Sequence, residues 1–274
     1  MNLGFGAAVN QGYRLGRAPF LATLNDDTVA DPEWIAALLE AIESRPEVGM
    51  CASRVLLAGR DRLDSAGMLL CGDGSSKQRG QGEAPEAYPV LEEVLFPSGS
   101  AALYRREMLE EIGLFDEDFF LYCEDTDLGL RARWAGWKCL YVPGAVVEHR
   151  YSHSAGRASP LKAFYVERNR LFVVMKNFPA GALWSVPFFS AARYFWHFVL
   201  MMRGRGAAAE FQRQGNSGWQ LLRFVVRAHR SLLPARRRLR IQRRTIRRKA
   251  RIPARGFRRL MRAHAISPRQ VAAL

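Results

Sequence analysis

Cysteine is scarce and unpaired in this 274-residue chain: Cys51, Cys71, Cys123 and Cys139 stand singly, with no C-x-x-C pair. Such spacing excludes a zinc knuckle and a disulfide-stapled scaffold, and reads as reduced thiols of a cytosolic protein. Long apolar runs are also missing. The best candidate, 186–202, is interrupted by Arg193 and His197, so a conventional membrane span is not expected. The first residues lack a basic segment leading into an apolar one, which argues against a secretion signal. Lysine is rare, at five residues, and acids almost vanish from the last third. Residues 1–200 hold 20 Lys and Arg against 25 Asp and Glu, net −5, whereas 201–274 hold 21 against the single Glu210, net +20. Two regions with different partners are implied. What is present, 49% hydrophobic residues with 24% charged, is enough for a full-sized core and excludes a disordered chain.

Up to about residue 145 helix-like and strand-like segments alternate, which predicts an α/β layer fold. Residues 20–24 read as a short strand followed by a polar loop at 25–28. Asp31 and Pro32 predict a helix start, with Asp31 as cap and an apolar stripe of Ile35, Leu38, Leu39 and Ile42, closed by Arg45-Pro46. Residues 48–52 and 62–70 read as strands. The Gly-, Ser-, Gln- and Glu-rich stretch 71–89 reads as a mobile loop of a length that often serves as a lid. Further on, 101–104 predicts a strand, 107–112 and 125–134 helices, and 138–142 a strand. Past Pro160, aromatic-rich helices are expected over 161–178, 183–202 and 219–233, then an Arg-dominated helical or partly ordered tail over 234–262.

Three segments could carry chemistry. Asn25-Asp26-Asp27 follows a strand, where open α/β sheets place ligand crevices, and its oxygens suit Mg²⁺ or Mn²⁺; the same residues also suit a turn or helix cap. Glu124-Asp125-Thr126-Asp127 places three acids at a helix start. The helix dipole and an Asp127–Arg131 pair account for one or two of them, leaving a carboxylate as candidate general base. Glu148-His149 closes a strand ending near Val147, and His149 and His153 have the spacing of a two-histidine metal face or of ordinary surface histidines.

Taken in order, these pieces resemble the family 2 glycosyltransferases of GT-A fold, particularly their bacterial rhamnosyltransferase-like branch. The match is carried by the stretch from Gly4 to Gly12, Leu24 to Thr28, Asp64-Ser65-Ala66-Gly67, Pro97-Ser98-Gly99-Ser100-Ala101, Gly113 to Phe120, Glu124 to Leu128, Arg131 to Trp137 and Val147-Glu148-His149. The resemblance implies a Rossmann-like mixed sheet flanked by helices. It implies an enzyme that moves a sugar from a nucleotide-sugar, dTDP- or UDP-linked, to a hydroxyl with inversion at the anomeric carbon. Asp27 would be the metal ligand with Asn25 in place of the family's first acid, Asp26 beside them, and His149 completing the shell around Mn²⁺ or Mg²⁺. Asp125 would be the general base with Glu124 next to it, and Asn10 would face the donor. Ser98, Gly99, Asp127, Arg131 and Trp134 would line the acceptor side. In the family, a first strand and base-holding loop precede the motif with which this chain starts, so the base-binding half of the donor site is expected to be absent.

The implied organisation is a catalytic domain over 1–158, an aromatic-rich helical region over 159–233 and an Arg-rich basic tail over 234–274. Aromatics interleaved with arginines over 188–205 have the character of an interfacial membrane helix, and the net +20 tail would add attraction to anionic lipid. That suits a lipid-linked or polysaccharide acceptor and a peripheral place on the inner face of the cell membrane, in cell-surface glycan assembly. An ordinary packed helix fits the same pattern. Two rivals are a non-catalytic remnant that scaffolds glycan assembly and an Arg-rich nucleic-acid-binding protein, the latter disfavoured by the lack of a base-stacking or groove-reading motif.

Overall fold

The computed structural model describes residues 2–150 and 159–274. Strands β1 (Phe20–Leu24), β2 (Thr28–Ala30), β3 (Val48–Leu57), β4 (Leu63–Ser65), β7 (Glu92–Val94), β8 (Ala101–Arg105) and β9 (Lys138–His149) form one mixed sheet. Its central order is β1-β8-β3-β9-β2, with β4 added to β3 and β7 to β9. β3 and β9 run parallel, and β8 is antiparallel to both β1 and β3. The remaining strands, β5 (Met68–Leu70) and β6 (Ser76–Gln78), make a separate hairpin.

The sheet is buried on both faces, and the two-residue period of its strands sorts side chains between two cores. Met50, Ala52, Ala102, Tyr104, Cys139 and Tyr141 join the larger core, together with helices α1 (Phe5–Leu15), α3 (Arg106–Ile112), α4 (Glu124–Trp134) and α5 (Pro160–Asn177). Cys51, Val55, Leu103, Leu140 and Val142 join the smaller one under helix α2 (Trp34–Glu43). All four cysteines are free and buried.

The local departures from expectation have physical causes. α2 begins at Trp34, two residues later than expected, after a turn in which the Asp31 carboxylate accepts from the Glu33 amide and the Asp31 carbonyl from the Trp34 amide. Its buried stripe is Trp34, Leu38, Ala41 and Ile42, while Ile35 is exposed. The single strand expected over 62–70 is broken at Gly67, whose φ of 99° turns the chain between β4 and β5. The stretch expected as a mobile loop, 71–89, contains β6 and a 3-10 turn at Pro85–Ala87. β9 continues through Pro143-Gly144 by a register shift against β3.

The C-terminal helices are α6 (Ala180–Leu183), α7 (Val186–Met202), α8 (Gly206–Arg213), α9 (Gly218–Arg230), α10 (Leu232–Arg248), α11 (Ala254–Ala263) and α12 (Pro268–Ala273). Residues 234–274, expected as a basic tail, pack back onto the sheet domain. Leu239, Ile246 and Phe257 enter the main core. Phe257 stacks on Trp134 at 3.9 Å, with the Arg247 guanidinium 3.5 Å from the same ring. Among the described residues no helix is long and apolar enough to cross a membrane.

Candidate active site

Strand pairing assembles the site. β2 pairs β9 antiparallel with Thr28 opposite His149, so Asp27, one residue before β2, lies beside the end of β9. β4 pairs the far end of β3, next to β9, and brings Asp64 to the other side of the same imidazole. His149 Nδ1 is 2.8 Å from Asp64 Oδ2, and its Nε2 is 3.2 Å from Asp27 Oδ1. Burial disfavours the charged imidazole, but the hydrogen bond and charge of Asp64, reinforced by Asp27, outweigh it and raise the His149 pKa above its ordinary value. His153, the other half of the expected histidine pair, lies outside the described residues.

The second half of the site sits at the start of α4. β1 pairs β8 with Leu24 opposite Ala101, which places Asn25 against Ser100, whose carbonyl accepts the Asn25 amide at 2.9 Å. One residue earlier, the Gly99 amide donates to Asp125 Oδ2 at 3.1 Å. A Cβ on Gly99 would press within 3.3 to 3.5 Å of Phe5 and Asp125. Through Ser98-Gly99-Ser100, the Asn25-Asp26-Asp27 turn and the Asp125 carboxylate are therefore tied to one short segment. Within it the Ser98 and Ser100 hydroxyls are 2.9 Å apart. Asn25 is half-buried and Asp26 exposed.

Asp125 Oδ1 accepts from the Thr126 amide at 2.6 Å and from the Thr126 hydroxyl at 3.2 Å. Burial raises the Asp125 pKa in spite of the bonds from Gly99 and Thr126. Glu124 is pushed up to about 8, first by burial and then by the Asp125 charge, and its Oε2 is buried with no hydrogen-bond partner. The two adjacent carboxylates cannot both be ionised cheaply, so near neutral pH the pair retains a proton, carried by Glu124. The bonds from Gly99 and Thr126 favour the charged form of Asp125, and its raised pKa makes it a stronger base than an ordinary carboxylate.

The backbone that delivers this pair is strained. Phe120, Tyr122 and Cys123 all have φ between 63° and 69°, a left-handed region that non-glycine residues rarely adopt. A buried amide holds it: Asn169 Nδ2 lies 2.9, 2.7 and 2.7 Å from the carbonyls of Phe119, Leu121 and Tyr122. From the other side, the Phe5 amide donates to the Phe120 carbonyl. Gly4, at φ 89°, is required there, since a Cβ would fall 2.1 Å from that oxygen.

Four residues expected at the site have other roles. Asn10 is buried, and its amide bridges the Phe115 backbone and Glu117 instead of facing a donor. Asp127 is fully buried and bonded to Arg131, Lys176 and Asn177 at 2.8 Å each. Burial alone would raise its pKa, but the Lys176 and Arg131 charges pull it below the ordinary value. Arg131 also donates to the carbonyls of Ile112, Gly113 and Leu114. Trp134 is buried, with its Nε1 donating to the Asn177 carbonyl. Asp127, Arg131 and Trp134 thus join α4 to its neighbours, and Arg131 also lines a cavity with Asn10, Asp116 and Lys176.

The carboxylate and imidazole of Asp27 and His149 fit a divalent cation. Asp27 Oδ1 is buried and faces His149 Nε2 at 3.2 Å, so a carboxylate oxygen and an imidazole nitrogen, both ordinary metal ligands, are presented side by side. Among the described residues no cluster of three His, Cys, Asp or Glu side chains could hold a metal by itself. A site with few protein ligands is what Mg²⁺ and similar hard ions use when phosphate oxygens and water complete the shell.

A mixed α/β sheet of this order with carboxylates at its strand ends is the architecture of the GT-A glycosyltransferases, and the comparisons agree. Residues 2–171 match the glycosyltransferase-like family 2, and the chain belongs to that family. It is similar to an N-acetylglucosaminyl-diphospho-decaprenol L-rhamnosyltransferase of Mycobacterium tuberculosis, 34% identical over 194 residues that cover 60% of this chain and 62% of that protein. It is also similar to the rhamnosyltransferase WbbL of Escherichia coli K12, 40% identical over 67 residues, or 24% of this chain and 25% of that one. The chain thus matches under two thirds of either relative's length. In fold it resembles GalNAc-T7, solved with UDP, GalNAc and Mn²⁺, at a TM-score of 0.53 and 16% identity, covering 69% of this chain and 37% of that one.

Proposed function

We propose that this protein is an inverting glycosyltransferase that moves a sugar, rhamnose or a related hexose, from a nucleotide-sugar to a hydroxyl of a lipid-linked or polysaccharide acceptor in cell-envelope glycan assembly. The observation that carries the reading is the joining of the two halves of the site through one segment: Asn25 bonds to Ser100 at 2.9 Å and Asp125 to Gly99 at 3.1 Å. Asp27 and His149, with Asn25 and Asp26 in the same turn, would hold a divalent cation. When bound, it would supply Lewis-acid stabilisation of charge on the leaving diphosphate. Asp125 accepts the proton of the acceptor hydroxyl as that oxygen attacks the anomeric carbon in line, and its bonds to Gly99 and Thr126 fix the carboxylate for the transfer. Glu124 holds a proton beside it, and Ser98 and Gly99 border the acceptor side. A single displacement of this kind inverts the anomeric centre and needs no covalent intermediate.

The outer face of α7 supports a peripheral site at an anionic membrane surface. Phe188, Phe195, Phe198 and Met202 are exposed at helical spacing on one side, opposite buried Ser190 and Arg193. α9 exposes Trp219, Leu222 and Val226 in the same manner, with arginines nearby. Flotation with anionic liposomes that is lost on charging the α7 stripe supports this placement, and absence of flotation by the intact chain refutes it. The transferase reading is tested by calorimetric titration of UDP and dTDP with and without Mn²⁺. Metal-dependent binding that disappears in Asp27→Ala is expected. Nuclear magnetic resonance of the product then reads the anomeric configuration, and retention would contradict the single displacement.

A further inference from the structure

Ser76 opens β6 and stands opposite Leu70 in the β5–β6 hairpin. That hairpin is held from several sides. The Met68 amide donates to the Phe96 carbonyl at 3.1 Å, and the Leu70 amide donates to the His264 carbonyl at 3.0 Å. Its turn is clamped between α5 and α7: Arg193 reaches the buried Asp73 carboxylate at 2.5 Å, and Arg170 donates to the Asp73 carbonyl at 3.0 Å. Gly74, at φ 90°, approaches α5 so closely that a Cβ would fall 2.7 Å from the Arg170 carbonyl oxygen. The fold therefore delivers Ser76 to a set place.

That place adjoins the carboxylate pair. Ser76 Oγ lies 2.8 Å from Thr126 Oγ1, which is itself 3.2 Å from Asp125 Oδ1, and Thr126 is fully buried. Among the described residues the two hydroxyls make no other hydrogen bond. A threonine hydroxyl has one proton to give. Beside an ionised carboxylate that proton goes to Asp125, because a bond to a charged acceptor is about twice as strong as one between neutral groups. Ser76 is then the donor to Thr126. Without that bond a second rotamer is open to a helical threonine, in which its hydroxyl turns back to a carbonyl one turn earlier in the chain. The Ser76 hydroxyl selects the rotamer that serves Asp125.

We propose that Ser76 is a positioning residue for Asp125: by donating to Thr126 it commits the single Thr126 proton to the carboxylate and holds that carboxylate in one orientation for the acceptor hydroxyl. The role of Asp125 as base rests on the glycosyltransferase reading, whereas the relay of hydroxyls stands on its own. The test is a pH titration of the full chain by nuclear magnetic resonance, with ¹³C at the aspartate carboxyls and the Asp125 signal assigned by its loss in Asp125→Asn. Hydrogen bonds to the charged form favour it, so losing one raises the pH at which Asp125 titrates. Ser76→Ala and Thr126→Val are each expected to move the titration to higher pH, and Ser76→Thr, which keeps the hydroxyl, to leave it with the parent. The double variant Ser76→Ala with Thr126→Val should move it no further than Thr126→Val alone, since both changes cut one relay. Glu124 and Cys123 beside Asp125 and Tyr104 on β8 also face it. Each titration is therefore repeated in Glu124→Gln, where the coupled carboxyl is gone. An unmoved titration in Ser76→Ala, an additive shift in the double variant, or a Ser76→Thr that behaves like Ser76→Ala would overturn the proposal. No donor or acceptor is needed. A Ser76-dependent shift in a chain that fails to bind UDP with Mn²⁺ would support the relay and refute the transferase reading, and UDP binding by a chain whose titration ignores Ser76 would do the reverse.

Discussion

His149 lies between two carboxylates, with Nδ1 2.8 Å from Asp64 and Nε2 3.2 Å from Asp27. Asp64 is nearly inaccessible, so its bond to Nδ1 fixes the ring and presents Nε2 toward Asp27. Such a partner orients a metal-binding imidazole and raises its basicity, and its loss typically costs about 10–100-fold in metal affinity. Asp64→Asn is therefore expected to weaken Mn²⁺-dependent UDP binding by about tenfold or more while leaving metal-free binding alone. Titration calorimetry checks this, and equal affinity in the variant would reduce Asp64 to a packing residue.

Asp125 is expected to act on the chemical step and not on donor capture. Asp125→Asn keeps the shape and the oxygen that accepts from Gly99 but cannot take a proton. Transfer should fall by about 10²–10⁴-fold, the usual worth of a positioned base, with Mn²⁺-dependent UDP affinity unchanged. The comparison of kcat with KM reads the split. A fall in donor affinity with kcat intact would place Asp125 on the donor instead.

The parts of this site legible in the sequence were those in which chemistry and local position coincide. The Asn25-Asp26-Asp27 turn and the Glu124-Asp125 helix start follow from strand ends and helix polarity, and β1, α4 and α5 formed close to their expected bounds. The burial of Asp127, Arg131 and Trp134 was not legible, because an acid or arginine on a helix looks the same whether it meets solvent or a buried partner. Lys176 and Asn177, which meet Asp127, are about 50 positions away. Asp64 and Asn169 were missed as functional residues for the same reason. Asn169 did leave a faint signal, since an amide inside a helix is unfavourable unless something outside the helix uses it. The short strands β2, β6 and β7 have three residues each, too few to show a period.

Glu124 gives a pH dependence of known sign. Its ordinary pKa of 4.5 is raised in the fold to about 8, so between these values the folded chain binds more protons than the unfolded one. Stability falls as pH rises through that window, by about 1.4 kcal/mol per unit at most, and the loss is complete above the folded value. Glu124→Gln removes the titration. Urea unfolding at pH 6 and pH 8.5 should show the variant gaining on the parent at the higher pH. Parallel curves for the two proteins would mean that Glu124 is ionised in the fold.

Asn169 is expected to matter more than its distance from the chemistry suggests. Its one amide group, with two N–H donors, lies within reach of three carbonyls of a segment that carries three left-handed residues and leads directly into Glu124 and Asp125. Asn169→Ala removes the donor of the Leu121 and Tyr122 carbonyls, while the Phe119 carbonyl keeps its bond from Arg168, and each unsatisfied group costs about 1–3 kcal/mol before relaxation. Because the two share one donor group, the whole loss should be near 3 kcal/mol rather than twice the upper value. Urea unfolding measures it. Asn169→Asp separates folding from delivery: the carboxylate cannot donate to carbonyls, so a variant that still folds should release the 119–123 backbone and lose transfer while binding UDP with Mn²⁺ normally. Full transfer by a folded Asn169→Asp would show that the strained segment holds itself, through Gly4 and the Phe5 amide, without the clamp from α5.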